Sequence, residues 1–149
     1  MIGVLSMNKL AVIYRRKGAL FIAASHKTQA GFWVEDTETS VVESDDEGGV
    51  QRAVAEALAR SQEGIPTPAR DDDLVGSLLS AAGVSSWSTF SKLAKCVDVH
   101  LGDGKLEITP YRNRGGSDGF VPMTDKAVKL PEDSPELGKA VLSALEVAE

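Results

Sequence analysis

Two stretches of this chain carry apolar side chains at the 3.6-residue spacing of a helix, and much of the rest reads as strand. Leu137, Ala140, Val141, Ala144, Leu145 and Ala148 fall at i, i+3, i+4, i+7, i+8 and i+11, which predicts a helix over residues 134–149 with Ser134 as N-cap and Pro135 in the first turn. Val50, Ala53, Val54, Ala57 and Leu58 repeat the spacing, and Val50-Gln51-Arg52-Ala53-Val54 matches Leu137-Gly138-Lys139-Ala140-Val141 in kind. A stripe rich in alanine lets a helix lie close against a sheet. Each helix follows strand-like sequence and then an acidic loop. The pattern therefore predicts an α+β chain, a largely antiparallel sheet with helices packed on it, built as two β-rich units each ending in a helix.

Taken in order, residues 1–8 read as a loose start. Leu10 to Tyr14 and Ala19 to Ala23 are β-branched and aromatic runs separated by Arg15-Arg16-Lys17-Gly18, which predicts a hairpin with Gly18 supplying the positive φ of the turn. After a polar link, Ser25 to Ala30, a third strand opens at Gly31-Phe32-Trp33-Val34, and Ser40 to Glu43 continues it or forms a fourth. Ser44-Asp45-Asp46-Glu47 has capping-box spacing, but Gly48-Gly49 weakens the first turn, so the helix is expected to start near Gly49 and run to about Glu63. Gly64-Ile65-Pro66-Thr67-Pro68 is the clearest break; it is too short for a flexible linker, so residues 1–149 are read as one domain whose halves meet near 64–70.

Beyond the break, Asp71-Asp72-Asp73 precedes a short amphipathic helix (Leu74, Val75, Leu78, Leu79, Ala82) closed by Gly83. A further helix, capped by Ser86, puts Trp87, Phe90, Leu93 and Ala94 on one face as core anchors. Cys96 to Leu101 and Lys105 to Thr109 alternate around Gly102-Asp103-Gly104, the clearest hairpin in the chain. Pro110 to Gly119 reads as a mobile, locally basic loop, and Phe120-Val121 with Ala127 to Leu130 supplies the last strand material.

Composition narrows the class. With 42% hydrophobic and 26% charged residues the chain is an ordinary folded protein. Its single cysteine, Cys96, permits no intrachain disulfide and points to a reducing compartment, the cytoplasm. No run approaches the ~18 apolar residues of a membrane span. Arg15-Arg16-Lys17 ahead of a short apolar run is read as a hairpin turn rather than a leader. The formal charge of −6 is unevenly spread: residues 1–30 hold five Lys/Arg and no Asp/Glu, whereas residues 31–74 hold three Lys/Arg against twelve Asp/Glu. An acidic block of this kind repels nucleic acid and steers basic proteins toward it.

Candidate chemistry is sparse. His26 and His100 are the only histidines, and neither sits in the context of a Ser-His-Asp or Cys-His arrangement. Cys96-x-x-x-His100 on an alternating strand shares a face but is too far apart for a metal pair, and Cys96 reads as a small core hydrophobe. Adjacent carboxylates at Asp71-Asp72-Asp73 point in different directions, and Gly102-Asp103-Gly104-Lys105 is a turn, not a phosphate loop. No cofactor, metal or nucleic-acid partner is expected.

Several segments in order, Ala57-Leu58-Ala59-Arg60-Ser61, Trp87 with Phe90, Lys95-Cys96-Val97 leading to Ile108-Thr109-Pro110, and the closing Ser134 to Leu145, resemble the immunity proteins of bacterial contact-dependent growth inhibition systems. At Val50-Gln51-Arg52 the chain departs from that pattern, where a Leu-Gly pair like Leu137-Gly138 is expected. The resemblance implies a non-enzymatic cytoplasmic protein that binds and neutralises the C-terminal toxin domain of an exported effector, in many cases a nuclease with a basic face. On that reading the expected partner contacts are Glu35, Asp36 and Glu38 followed by Asp71, Asp72 and Asp73, whereas Asp45 to Glu47 serve the adjoining helix. An adaptor or chaperone for a secreted effector and a small hydrolase using carboxylates are the competing classes.

Overall fold

The computed structural model describes residues 8–69, 73, 75–115 and 118–149. Arg70, Asp71, Asp72, Leu74 and the expected loose start over residues 1–7 lie outside the described residues. Asn8, included in that start, is tied down: its N–H donates to Glu63 and its Oδ1 meets His100 Nε2 at 3.0 Å.

Two hairpins form the centre. β1 (Lys9–Arg16) and β2 (Ala19–Thr28) turn through Lys17-Gly18; β6 (Lys95–Gly102) and β7 (Lys105–Asn113) turn through Asp103-Gly104. In both turns the two central residues have positive φ, 51° and 78° in the first and 54° and 73° in the second, the twist that a two-residue connection needs. Only the glycines adopt it without steric cost. The two turns are therefore tighter than the sequence suggests, and the strands longer: Arg15 and Arg16 belong to β1, Ser25 to Thr28 to β2, and Gly102 to β6.

β1 and β6 pair antiparallel, Lys9 opposite Leu101 through Arg15 opposite Lys95, and so join the two hairpins into one sheet. β3 (Trp33–Glu35) and β4 (Ser40–Glu43) pair with β2; β8 (Phe120–Pro122) and β9 (Val128–Pro131) pair with β7. β5 (Glu63–Ile65) pairs parallel with β2, so part of the expected break at 64–68 is strand. Each half thus contains a hairpin, two short outer strands and then a long helix, as the repeat predicts, but the first half adds β5 after its helix, the second opens with two short helices, and all the strands share one sheet framework.

The helices α1 (Glu47–Arg60) and α4 (Leu137–Val147) lie side by side on one face. α1 starts earlier than expected because Asp46, not the Ser44–Glu47 box, caps it: its carboxylate accepts from Gly49 N at 2.9 Å. It ends at Arg60, where Ser61 leaves the helix. Val50, Val54, Ala57, Val141 and Leu145 meet Ile13, Leu20, Ile22, Val97, Val99 and Ile108 of the sheet, all fully or almost fully buried. The departure at Gln51 has a structural reason. Gly138 lies against α1 so closely that a Cβ there would sit 2.7 Å from the Glu47 carbonyl oxygen. Gln51 bridges the crossing, accepting from Gly138 N at 2.5 Å and donating to the Ser134 carbonyl at 3.3 Å. A side-chain amide at this point satisfies a free donor at the start of α4; Ser134, expected as the N-cap, lies before the helix and its hydroxyl accepts from Glu136 N instead.

The opposite face carries a second, smaller core. α2 (Gly76–Ala82) and α3 (Trp87–Lys92) cover it, with Leu78, Phe90 and Ala94 packed on Tyr14, Phe21 and Cys96. Gly83 ends α2 in the left-handed conformation, and Ser86 Oγ accepts from Thr89 N to cap α3. Phe90 is fully buried and sits edge-on to Tyr14 (5.4 Å) and Phe21 (5.8 Å). The expected loop 110–119 begins later than predicted. β7 runs on to Asn113, whose amide donates to the Ser91 and Ala94 carbonyls at 2.7 and 3.0 Å and closes α3.

Candidate functional site

The acidic run after β3 is held by the fold rather than left loose. Asp36 N donates to the Ala24 carbonyl, and the Asp36 carboxylate, about a tenth exposed, faces His26 Nε2 and Arg60 Nε, each at 3.3 Å. His26 Nδ1 accepts from Gln62 N at 3.1 Å, which leaves Nε2 as the nitrogen that donates to Asp36. Asp36 also accepts from Glu38 N, a turn that throws the Glu38 side chain outward to three-quarters exposure, 3.8 Å from Arg60. Asp73 accepts from Gly76 N at 2.8 Å and Val75 N at 3.2 Å, ahead of α2.

Folding brings four of the six expected contact residues together. Glu35, Asp36, Glu38 and Asp73 line one open cleft of about 520 Å³, with His26 and Pro68 among its other walls. Asp71 and Asp72 lie outside the described residues. Asp46 is spent on α1, as expected of the 45–47 group.

Glu35 also faces a second cleft, about 370 Å³, on the sheet surface that α2 and α3 leave open. Here Tyr14 Oη donates to Glu35 Oε1 at 2.6 Å, and Tyr111 Oη donates to Asp98 Oδ2 at 2.5 Å. Burial raises the Glu35 carboxyl from its ordinary value, against the pull of the Tyr14 bond. Burial also lifts Asp98 to about 6, with Glu107 adding to the rise and Tyr111 and His100 opposing it. Both tyrosines are raised in turn, chiefly by burial and then by the neighbouring carboxylate.

Nothing in the sequence pattern assigns a role to Asp98, Tyr14 or Tyr111. The alternation Cys96-Val97-Asp98-Val99 did place Asp98 opposite the apolar side of its strand. What it could not reveal is that Tyr111, thirteen residues on, closes over it.

Among the described residues no group of three or more His, Cys, Asp or Glu side chains is placed to hold a metal ion, and no helix is long and apolar enough to cross a membrane. Cys96 is buried, its thiol pushed up by burial.

The chain is thus a curled antiparallel sheet with α1 and α4 on one face, a cleft walled by Glu35 and Asp98 on the face that α2 and α3 partly cover, and the acidic cleft beside β3. The CDI immunity protein family model matches residues 52–148, more than half of the chain, and the chain belongs to that family. Two solved structures share the fold. One is a protein of unknown function from Neisseria meningitidis, 20% identical, with all of both chains covered and a TM-score of 0.79. The other is a CdiA-CT/CdiI toxin and immunity complex from Yersinia pseudotuberculosis, 17% identical, covering 95% of this chain and 98% of that one, with a TM-score of 0.75. A search of curated proteins finds no significant match.

Proposed function

We propose that this immunity protein binds the toxin domain of its cognate CDI effector in the cytoplasm and blocks it stoichiometrically, making and breaking no covalent bond. The toxin is a nuclease, and its basic, phosphate-binding face docks on the acidic flank of this chain. The gathering of Glu35, Asp36, Glu38 and Asp73 on one cleft carries this reading; Asp71 and Asp72, next to Asp73 in sequence, complete the proposed set of contacts. Carboxylates in that position occupy the place of substrate phosphates and speed encounter.

The side chains contribute unequally. Glu38, three-quarters exposed and only at the outer limit of an ion pair with Arg60 (3.8 Å), is placed to reach a partner arginine, whereas Asp36 is bound to His26 and Arg60 and holds the loop in shape. The test is coexpression of the cognate toxin with wild type or with a Glu38→Lys/Asp73→Asn variant, in which the asparagine oxygen still accepts from Gly76 N and Val75 N. Wild type should abolish nuclease activity and form a one-to-one complex whose affinity falls with added salt. The variant should associate at least tenfold more slowly with an unchanged fold. Protection without a complex, or an unchanged association rate, removes the proposal.

A further inference from the structure

The second cleft has a construction that the acidic flank lacks. Its floor is the sheet surface formed by the half-buried Leu10 and Val12 of β1, with the buried Ser25 of β2 at its edge. The register fixes its walls: Ser25 lies opposite Glu35 of β3, and Val12 lies opposite Asp98 of β6. The two carboxylates therefore stand on strands three spacings apart, about 14 Å at the backbone, with an apolar floor between them. Trp33, Trp87 and Phe120 form the rim, and Trp87 packs on Tyr14 and Phe120 with ring centres 5.9 and 6.2 Å away.

Charge is unbalanced here. The described lining holds two carboxylates and no lysine or arginine. Each tyrosine occupies one oxygen of its carboxylate, and a carboxylate has acceptor capacity on the other. Partial burial of two acids without a cation is costly, and both carboxyls are displaced upward accordingly. An incoming cation relieves that cost. Aliphatic stems of lysine or arginine fit an apolar floor, and a guanidinium stacks on indole faces.

We infer that this cleft is the seat of a basic segment of the toxin, with arginine or lysine side chains reaching Glu35 on one wall and Asp98 on the other between the Trp33 and Trp87 rims. The inference rests on the immunity reading and deepens it: the acidic flank steers the partner, and the sheet cleft holds it. Glu35, which lines both clefts, connects the two.

The chain has two tryptophans, and both line this cleft, so 5-fluorotryptophan labelling gives two fluorine NMR signals that report on it directly. Titration with the purified cognate toxin domain should shift both signals. A Glu35→Gln/Asp98→Asn variant, whose amide oxygens still accept from Tyr14 and Tyr111, should keep its fold by circular dichroism and lose affinity about 30-fold or more by calorimetry. Unmoved fluorine signals in a wild-type complex that calorimetry shows to be formed overturn the inference and leave the immunity reading standing. So does undiminished affinity in the folded double variant. Absence of any wild-type complex overturns both.

Discussion

At the scale of single residues, the informative side chains are those whose chemistry and surroundings disagree. Asp98 is a carboxylate under partial burial, with its pKa lifted from 3.8 to about 6. Because the folded value lies above the unfolded one, its contribution to stability is fully present below pH 3.8 and is lost as the pH rises through 6. Two pH units correspond to about 3 kcal/mol as an upper bound. An Asp98→Asn substitution keeps an oxygen for Tyr111 and removes the charge. Urea unfolding should therefore find the variant more stable than wild type at pH 8, by up to about 3 kcal/mol, with the difference vanishing near pH 3.5. Equal stability at both pH values would mean that Asp98 is well solvated. Glu35 adds to the wild-type loss in the same direction. Lys17 is a different mismatch, a lysine at φ 51° in a turn that favours asparagine. Lys17→Asn, which creates an Asn-Gly pair, should raise stability by about 1 kcal/mol, read as an upward shift of several degrees in thermal unfolding.

At the scale of elements, local pattern is a sound guide for most elements in which one face decides the fold, though Leu93, expected on the core face with Phe90 and Ala94, lies beyond the end of α3 and is exposed. The stripes of α1 and α4, the caps at Ser86 and Gly83, and the alternation of β6 all follow from spacing that a single stretch contains. What escaped it depends on neighbours distant in the chain. Ser25 to Thr28 look polar and loop-like, but β3 and β5 hold them as strand, and Pro110 sits inside β7 opposite Val97, with its carbonyl accepting from Met123 N. β5 is three residues long with a glycine at its centre, too little sequence to carry a pattern. The candidate site divides in the same way: the acids of the first cleft were visible as a charge block, while the tyrosine–carboxylate pairs of the second needed the sheet register. The α1–α4 crossing gives this scale its own test. Gly138→Ala places a methyl group against the Glu47 carbonyl and the Gln51 backbone, and should cost about 1–3 kcal/mol in urea unfolding even though alanine favours helix. A stabilised variant would show that the two helices separate without cost.

At the scale of the whole molecule, the two faces of the sheet have separate duties. One is sealed by α1 and α4 and supplies most of the core; the other is only partly covered and keeps its polar chemistry near the surface. The sealed side holds the strand register that sets Glu35 and Asp98 on opposite walls, so in the docking proposed above the partner meets a preformed site and loses little ordering entropy. This arrangement makes toxin affinity depend on pH in a definite sense. A bound cation requires Asp98 to be ionised; above pH 6 it already is, and affinity should be flat. Below pH 6 binding must first expel a proton, so the dissociation constant should rise about tenfold for each unit of pH, and more steeply where Glu35 also protonates. His100 on β6 and Glu107 on β7 are the other ionisable side chains acting on Asp98, with Tyr111 and Cys96 beside it. Calorimetry of wild type and Asp98→Asn between pH 5 and 8 separates their influence from that of Asp98 itself. The variant should bind more weakly at pH 8 and lose much of the slope below pH 6; an identical slope in both proteins would place the pH-sensitive contact elsewhere on the surface.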